Sequence, residues 1–153
     1  MNKKIAVFPG SFSPYTLGHK YIIDKALPLF DKIIIAVGTN SEKKYFFSAE
    51  QRLKWIKDLY QNEPKIEIKT YDGLTVDFCR INNAQFILRG LRNSKDFNYE
   101  KEIAQINQTL ENSIETIFII TSKEYLHISS TLVREVAKYG GDISKFVPDG
   151  IKI

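Results

Sequence analysis

Apolar runs of strand length alternate five times with segments that carry apolar residues at helical spacing, and this alternation limits the possible folds. The run Ile33-Ile-Ile-Ala-Val37 is continuous and mostly β-branched, as expected for a central strand of a parallel sheet covered on both faces. Residues 66–69 instead alternate isoleucine with a charged residue, which predicts an edge strand. The pattern predicts a single doubly wound, Rossmann-like α/β domain over residues 1–153, with a five-stranded parallel sheet.

The predicted elements follow one another with short connections. Strands are predicted at 5–8, 33–37, 66–69, 86–88 and 116–121, and helices at 18–30, 48–60, 75–82, 94–110 and 130–139. Ser48-Ala-Glu-Gln51 has the spacing of a capping box, and Asn93 or Ser94 can cap the long fourth helix. After the fourth strand, Arg89-Gly-Leu-Arg92 is predicted to form a turn.

Composition excludes several classes of protein. With 43% hydrophobic and 26% charged residues, the chain is typical of a globular domain. Its apolar runs are too short to span a bilayer, and its first residues lack the apolar region of a signal peptide, so we expect a cytoplasmic location. The net charge of +4 includes no long basic block, so the expected partner is a small anion and not a nucleic acid or a membrane.

Cysteine and histidine content excludes further kinds of site. The single cysteine, Cys79, cannot form an internal disulfide and is interpreted as a small core residue, and the sequence has no zinc-binding pattern. Neither histidine has an evident hydroxyl and carboxylate partner for a catalytic triad, so covalent catalysis is disfavoured. The sequence also lacks a Gly-Lys-Ser/Thr phosphate-binding loop, which argues against a P-loop kinase or GTPase.

A polar cluster follows each predicted strand. In chain order the clusters are residues 11–19, Lys43 with Lys44, Leu74 with Thr75, Arg89 with Arg92, and residues 129–131. Doubly wound sheets bind ligands beyond the carboxyl ends of their strands, at the point where the winding direction reverses. The five clusters are therefore predicted to converge on one site.

The first cluster lies in Val7-Phe-Pro-Gly-Ser-Phe-Ser-Pro-Tyr-Thr-Leu-Gly-His19, which predicts a strand, a tight loop and a helix. Backbone N–H groups and hydroxyls beside a helix N-terminus favour a phosphate, to which His19 can donate a hydrogen bond. An ordinary strand-to-helix turn with a structural histidine is the alternative.

Two later clusters also suit an anion. Arg89 and Arg92 can form a phosphate clamp, or they can be a solvated basic turn paired with Asp96 or Glu100. Among residues 129–131, one hydroxyl is expected to cap the following helix, and the same helix end can bind an anion. Cations, hydroxyls and amides suit phosphoryl or nucleotidyl transfer, because that chemistry depends mainly on positioning and charge stabilisation.

Three segments carry a resemblance to a known family. Gly10-Ser-Phe-Ser-Pro-Tyr-Thr-Leu-Gly-His19 resembles the signature loop of the T/HxGH nucleotidylyltransferases. Residues 89–100 and Ile128-Ser-Ser-Thr-Leu-Val-Arg134 resemble the corresponding motifs of the bacterial phosphopantetheine adenylyltransferases, whose order, spacing and length also fit. The chain departs from the family at Ser13, where Asp is usual, and at Ser11, where Thr is common.

The resemblance implies transfer of AMP from ATP to 4'-phosphopantetheine, giving dephospho-coenzyme A and pyrophosphate, with Mg2+ as helper. The implied catalytic residues are His19, Lys43, Arg92 and Ser11. The implied ATP-binding residues are Ser11, Phe12, His19, Arg89, Gly90, Glu100, Ser129, Ser130 and Thr131. The implied substrate-binding residues are Ser11, Lys43, Leu74, Thr75 and Arg89. No protein ligands of the metal are implied.

The same resemblance implies a homohexamer that is inhibited by coenzyme A. Two other functions stay open. Another transferase of the superfamily, acting on nicotinate mononucleotide or a cytidylyl acceptor, would share the His19 loop, although residues 89–100 argue against it. The second alternative is a non-catalytic module that senses nucleotide or coenzyme A. The absence of the usual carboxylate at Ser13 makes this function conceivable.

Overall fold

A computed structural model describes residues 2–40 and 45–153 and contains a five-stranded, all-parallel sheet, which confirms the predicted fold class. The strands are β1 Ile5–Gly10, β2 Lys32–Gly38, β3 Ile66–Tyr71, β4 Phe86–Leu91 and β5 Glu115–Ile120. The helices are α1 Leu17–Ala26, α2 Ala49–Leu59, α3 Thr75–Ile81, α4 Ser94–Leu110 and α5 Ser130–Lys138, with 3-10 turns at Leu27–Leu29 and Lys123–Tyr125.

The strand order β3-β2-β1-β4-β5 places the reversal of winding between β1 and β4. The chain proceeds outward from β1 to β3 and then crosses back to β4, as in other doubly wound sheets. β3 lies at an edge, as its alternating sequence predicts. β1 pairs with β4 only through Ala6 and Val7, opposite Phe86 and Ile87. The carboxyl ends of these two strands therefore separate beyond their short ladder.

The core lies on both faces of the sheet. Phe8 and Ile35 belong to the cluster that packs with α1, α2 and α5, whereas Val7 and Ile34 face the opposite layer. This division follows from the strand geometry, because successive side chains point to opposite faces. Cys79 is buried in the second layer, as predicted, and burial raises the pKa of its thiol to about 12.

Side chains cap the helices at positions that the sequence indicates. Ser48 Oγ accepts a hydrogen bond from the Gln51 backbone N–H at 3.1 Å. Asn93 Oδ1 caps α4 by accepting from the Asp96 N–H at 2.9 Å, which decides between the two predicted capping residues. These bonds satisfy N–H groups that a helix leaves without intrahelical partners.

The predicted turn at residues 89–92 is wrong for its first three residues, because Arg89, Gly90 and Leu91 belong to β4. They continue the ladder with β5, opposite residues 118–120. Gly90 also lies against α1, since a Cβ added there would stand 2.9 Å from Cγ1 of Ile22. The glycine therefore permits a helix to approach a strand, and the strand is extended by its tertiary pairing.

The C-terminal residues 142–153 pack on the start of α1. Ile143, Val147 and Ile151 are buried in the main core cluster. The Phe146 carbonyl accepts a hydrogen bond of 2.9 Å from the Leu17 N–H, one of the N–H groups that the first turn of a helix leaves unpaired. This segment therefore helps to fix the helix that carries His19.

Within residues 2–40 and 45–153, no helix is long and apolar enough to cross a membrane.

The contact between Gly90 and Ile22 gives a stability prediction. Gly90→Ala should lower the free energy of unfolding by about 1–3 kcal/mol, because the added methyl group overpacks the contact between β4 and α1. In an Ile22→Ala background the same substitution should cost at least about 0.5 kcal/mol less, since the clashing atoms are gone. Urea unfolding of the four proteins measures this coupling. Equal costs in both backgrounds would contradict the assigned contact.

Candidate functional site

Two adjoining cavities lie at the carboxyl ends of the strands where the winding reverses. The first, called here the histidine cavity, has a volume of about 310 Å3 and is lined by His19, Arg92 and the start of α5. The second, the tyrosine cavity, has a volume of about 510 Å3 and is lined by Tyr45, Tyr71 and part of α4. They share the residues Pro9, Gly10, Ser11, Arg89 and Glu100. A group bound in one cavity can therefore meet a group bound in the other along this common wall.

The structure brings most predicted site residues to these cavities. Every residue predicted to bind ATP lines the histidine cavity: Ser11, Phe12, His19, Arg89, Gly90, Glu100, Ser129, Ser130 and Thr131. Among the residues predicted to bind the second substrate, Ser11, Thr75 and Arg89 line the tyrosine cavity. Leu74 lines neither cavity as described and is 54% exposed before α3. Lys43 and Lys44 lie outside the described residues.

His19 is held as a neutral hydrogen-bond donor. Its Nδ1 accepts a hydrogen bond of 2.9 Å from the Thr16 N–H, and Thr16 Oγ1 accepts one from the His19 N–H at 3.4 Å, so the two residues form a capping box at α1. Burial, followed by the positive charges of Arg89 and Arg92, lowers the pKa of His19 from 6.5 to about 3. Since Nδ1 is an acceptor, the proton of the neutral ring lies on Nε2.

Phe12 supports His19 with its ring. The ring of Phe12 is buried, stacks on Phe8 at a centroid distance of 5.4 Å and meets the His19 ring edge-on at 5.0 Å. Its backbone has a positive φ of 49°, which turns the chain after β1. Any contact of Phe12 with a ligand would thus involve mainly its backbone.

Each hydroxyl of residues 129–131 already has a structural partner. Ser129 Oγ caps α5 by accepting from the Leu132 N–H at 3.2 Å, and Ser130 Oγ donates to the Pro14 carbonyl at 2.8 Å. Thr131 Oγ1 accepts from Arg134 at 3.3 Å. The expected single cap is therefore Ser129, while the other two hydroxyls bind the loop after β1 and the guanidinium that holds it.

Arg134 is not among the site residues predicted from the sequence, although it ends the motif that contains the fifth cluster. Its Nη1 donates to the Ser13 carbonyl at 2.7 Å, across 121 positions of the chain. The Ser13 side chain is 3% exposed, and its Oγ has no hydrogen-bond partner among the residues that the structure describes. Ser13 thus joins the loop to α5 through its carbonyl, which does not require a carboxylate.

Arg89 and Arg92 are both paired with carboxylates. Arg89 donates to Glu100 through Nε at 2.9 Å and Nη2 at 2.5 Å, and its Nη1 donates to the Pro9 carbonyl at 2.6 Å. Arg92 Nε donates to Asp96 at 3.1 Å, and its Nη1 donates to the Ile128 carbonyl at 3.3 Å. The pairing expected for a basic turn therefore exists, but it lies inside the cavities and fixes the direction of both guanidinium groups.

Sequence reasoning also missed Arg52, which is fully buried and donates to the Ser11 carbonyl at 2.6 Å. Arginine is seldom fully buried, and periodicity placed the apolar stripe of α2 on other positions. Arg52 directly follows the predicted capping segment 48–51, and nothing in that sequence indicates that its side chain reaches the loop after β1. Tyr71, Asn107 and Thr116, which line the tyrosine cavity, likewise come from segments without a recognisable motif.

The described residues offer no protein cluster for a metal ion. No group of three or more His, Cys, Asp or Glu side chains suited to a metal occurs in residues 2–40 and 45–153. Asp96 and Glu100 line the histidine cavity, but arginines bind both carboxylates. Mg2+ is commonly held by substrate phosphates and water with few protein ligands, and the site fits only that mode.

The doubly wound sheet and the two joined cavities at its switch point define an α/β protein that binds ligands beyond its strand ends. A family model described as cytidylyltransferase-like matches residues 7–136. A solved structure of a bifunctional NMN adenylyltransferase/ADP ribose pyrophosphatase from Francisella tularensis has the same fold, with a TM-score of 0.74 and 20% identity. The match covers 95% of this chain and 45% of that one.

Full-length relatives narrow the class. The chain is 56% identical over 149 residues to a phosphopantetheine adenylyltransferase from Christiangramia forsetii, covering 97% of this chain and 98% of the relative. It is 51% identical over 148 residues to one from Flavobacterium psychrophilum, covering 97% of both chains. The chain therefore belongs to the phosphopantetheine adenylyltransferases within the cytidylyltransferase-like family, which confirms the resemblance seen in its motifs.

The low pKa of His19 predicts how stability depends on pH. In the unfolded chain this histidine binds a proton below about pH 6.5, whereas the folded protein does so only near pH 3, so unfolding takes up a proton between these values. The free energy of unfolding should therefore decrease as the pH is lowered through this window, and His19 should contribute at most about 1.4 kcal/mol per pH unit.

Urea unfolding of the wild type and of His19→Gln between pH 7 and pH 5 measures this contribution. The wild type should lose more stability than the variant over that range, because only the wild type carries the histidine. His127→Gln, which removes the exposed second histidine, serves as the control and should keep the contribution of His19. Equal pH dependence in the wild type and in His19→Gln would contradict a neutral, buried His19.

Proposed function

We propose that the protein transfers AMP from ATP to 4'-phosphopantetheine, giving dephospho-coenzyme A and pyrophosphate, as one step of coenzyme A biosynthesis. The observation that carries the proposal is the common wall of the two cavities, where Ser11 and Arg89 border both. Such a wall lets a nucleotide and an acceptor approach each other directly. Direct transfer also agrees with the sequence, which shows no catalytic nucleophile paired with a general base.

ATP would occupy the histidine cavity, and the phosphate of 4'-phosphopantetheine would enter from the tyrosine cavity. An oxygen of that phosphate forms a bond to the α-phosphorus of ATP, while the bond from this phosphorus to the bridging oxygen breaks. Pyrophosphate leaves with the electron pair. The attacking phosphate is already anionic, so the step needs no general base.

The proposed work of the protein is to position the reactants and to stabilise charge. The Nε2–H of His19 would donate to an oxygen of the α-phosphate, and a pKa of about 3 keeps the ring neutral, with a single proton, at neutral pH. Arg92 and Ser11 would add positive charge and a hydroxyl at the same group. The first N–H groups of α5 favour phosphate oxygens through the helix dipole.

Several further assignments rest on the family motifs. Lys43 would neutralise the transition state and bind the acceptor phosphate, and Leu74 and Thr75 would line the path of the pantetheine arm. Arg89 and Glu100 would act as a fixed pair, since both oxygens of the carboxylate bind the guanidinium. Mg2+ would enter with ATP and would supply positive charge to its phosphates.

Regulation and location follow from the same proposal. Coenzyme A contains the pantetheine arm, so it would compete with 4'-phosphopantetheine for the tyrosine cavity and inhibit the enzyme. The reaction consumes ATP, so we place the protein in the cytoplasm.

We also propose that six chains form a homohexamer. Large apolar side chains are exposed on β5, α4 and α5, with 76% of Ile120, 66% of Tyr99 and 58% of Leu132 accessible. Exposed apolar groups of this kind are characteristic of interaction surfaces. β5 is also an edge strand, which a neighbouring chain can cover.

The activity is tested by mixing the purified protein with ATP, Mg2+, 4'-phosphopantetheine and nicotinate mononucleotide, and by identifying the products by mass spectrometry. We expect dephospho-coenzyme A and no adenylylated nicotinate mononucleotide. Adenylylation of the second acceptor alone would assign the protein to another transferase activity. ATP binding without any product would favour the sensing module.

Substitution of His19 tests the assigned donor. His19→Ala should lower kcat by about two to three orders of magnitude, the effect of removing one preorganised donor, while the circular dichroism spectrum stays native. His127→Ala removes an exposed histidine that lines neither cavity and should retain wild-type turnover. A His19→Ala enzyme with near-normal kcat would remove His19 from the mechanism.

The assembly is tested by light scattering coupled to gel filtration. The wild type should have six times the chain mass of 17.7 kDa, and Ile120→Asp should give smaller species, because a charge replaces an apolar contact. Leu29→Asp is the matched control: Leu29 is also exposed, at 55%, but follows α1, and its variant should keep the wild-type mass. A monomeric wild type would contradict the hexamer.

A further inference from the structure

We propose that Arg52 is a positioning residue for adenylyl transfer, whose buried guanidinium fixes the wall between the two cavities by binding the carbonyl groups of Ser11 and Gly38. The inference rests on the proposed function, because it assigns a role in that reaction to a residue that does not touch the substrates. Arg52 lines neither cavity and has no exposed surface, so it can act only through the groups that it binds.

One guanidinium nitrogen joins the ends of two strands. Nη1 of Arg52 donates to the Ser11 carbonyl at 2.6 Å and to the Gly38 carbonyl at 2.9 Å. The ladder between β1 and β2 ends at the pair Gly10 and Val37, one residue before each of these carbonyls. Arg52 therefore continues the connection between β1 and β2 where their own pairing stops.

The remaining contacts of Arg52 fix its direction. Nε donates to the Phe47 carbonyl at 3.1 Å, and the guanidinium carbon lies 3.9 Å from the centre of the Tyr45 ring, a cation–π contact. Ser11, Gly38 and Tyr45 all line the tyrosine cavity. One side chain thus contacts three residues on the proposed acceptor side.

Packing alone does not account for a charge at this position. The hydrogen-bond acceptors of Arg52 within the described residues are carbonyls and not carboxylates, and burial lowers the pKa of its guanidinium. A buried cation without a carboxylate is costly, and an apolar side chain such as that of Ile56 in the same helix fills space without this cost. The placement fits a requirement for fixed carbonyl positions.

The contacts predict an effect that differs between the substrates. Ser11 is the only residue of the histidine cavity that Arg52 contacts in the bonds described, whereas His19, Arg92 and α5 are held by other groups. Loss of the guanidinium should therefore disturb binding and alignment of the acceptor more than binding of ATP. A displacement of the acceptor by a fraction of an ångström is enough to slow an in-line transfer.

The experiment compares the wild type with Arg52→Lys and Arg52→Met. Lysine keeps the charge but cannot donate in the same forked geometry, and methionine fills the space without a charge. Steady-state formation of dephospho-coenzyme A gives KM for each substrate and kcat, and calorimetry gives the Kd of ATP alone. In both variants we expect KM for 4'-phosphopantetheine to rise about tenfold and kcat to fall by about tenfold or more, with the Kd of ATP within about threefold of wild type.

Ile56→Val is the matched control, because it loosens the buried face of the same helix without altering the bonds of Arg52. It should lower the unfolding temperature and leave KM and kcat unchanged. Hydrogen exchange should be faster at residues 10–13 and 38–40 in the Arg52 variants, but not at residues 128–133. A general loss of structure would raise exchange in all three segments.

The outcomes separate the two proposals. A wild type without product overturns the proposed function, and the role of Arg52 in it falls as well. An active wild type beside an Arg52 variant with unchanged KM and kcat overturns only the role of Arg52, as does an equal loss of ATP affinity. If one variant does not fold, the other decides; failure of both to fold would assign Arg52 to folding and overturn the proposal.

Discussion

The site depends on the contact by which Arg89 bridges β1 and β4 where these strands separate. Their ladder ends at Val7 and Ile87, and two residues further along Arg89 donates to the Pro9 carbonyl at 2.6 Å. Glu100 holds the same guanidinium from α4, so the opening has a fixed width. Both cavities use this wall, because β1 and β4 separate beyond their short ladder, at the point where the winding reverses.

Arg52 and Arg89 both bind the chain at the end of β1, from opposite sides of this strand. Each lies where a strand ladder ends and each binds a carbonyl of the segment Pro9–Ser11. Arg89 is neutralised by a carboxylate, whereas Arg52 binds carbonyls and an aromatic ring. Both guanidinium groups thus hold the segment that forms the common wall of the two cavities.

The state of His19 agrees with the type of reaction. Thr16 orients the ring through Nδ1, and burial, followed by the neighbouring guanidinium groups, keeps the ring neutral. A neutral imidazole donates one hydrogen bond without taking up a proton, which is sufficient when the nucleophile is a phosphate that is already ionised. The aromatic rings of Phe8 and Phe12 exclude water from one side of this histidine, so its direction is preserved without a carboxylate partner.

The sequence by itself determined the five-stranded alternation, the edge position of β3, the caps at Ser48 and Asn93 and the motif around His19, because periodicity and capping act over a few residues. The convergence of the residues predicted to bind ATP on one cavity also followed from the sequence, because the carboxyl ends of parallel strands meet at one edge of the sheet. Only the tertiary structure decided that Arg89 lies in a strand, that Arg134 binds Ser13, and that a buried Arg52 reaches Ser11. These partners are up to 121 positions apart in the chain. Whether they meet depends on the packing of whole elements, which patterns over a few residues do not encode.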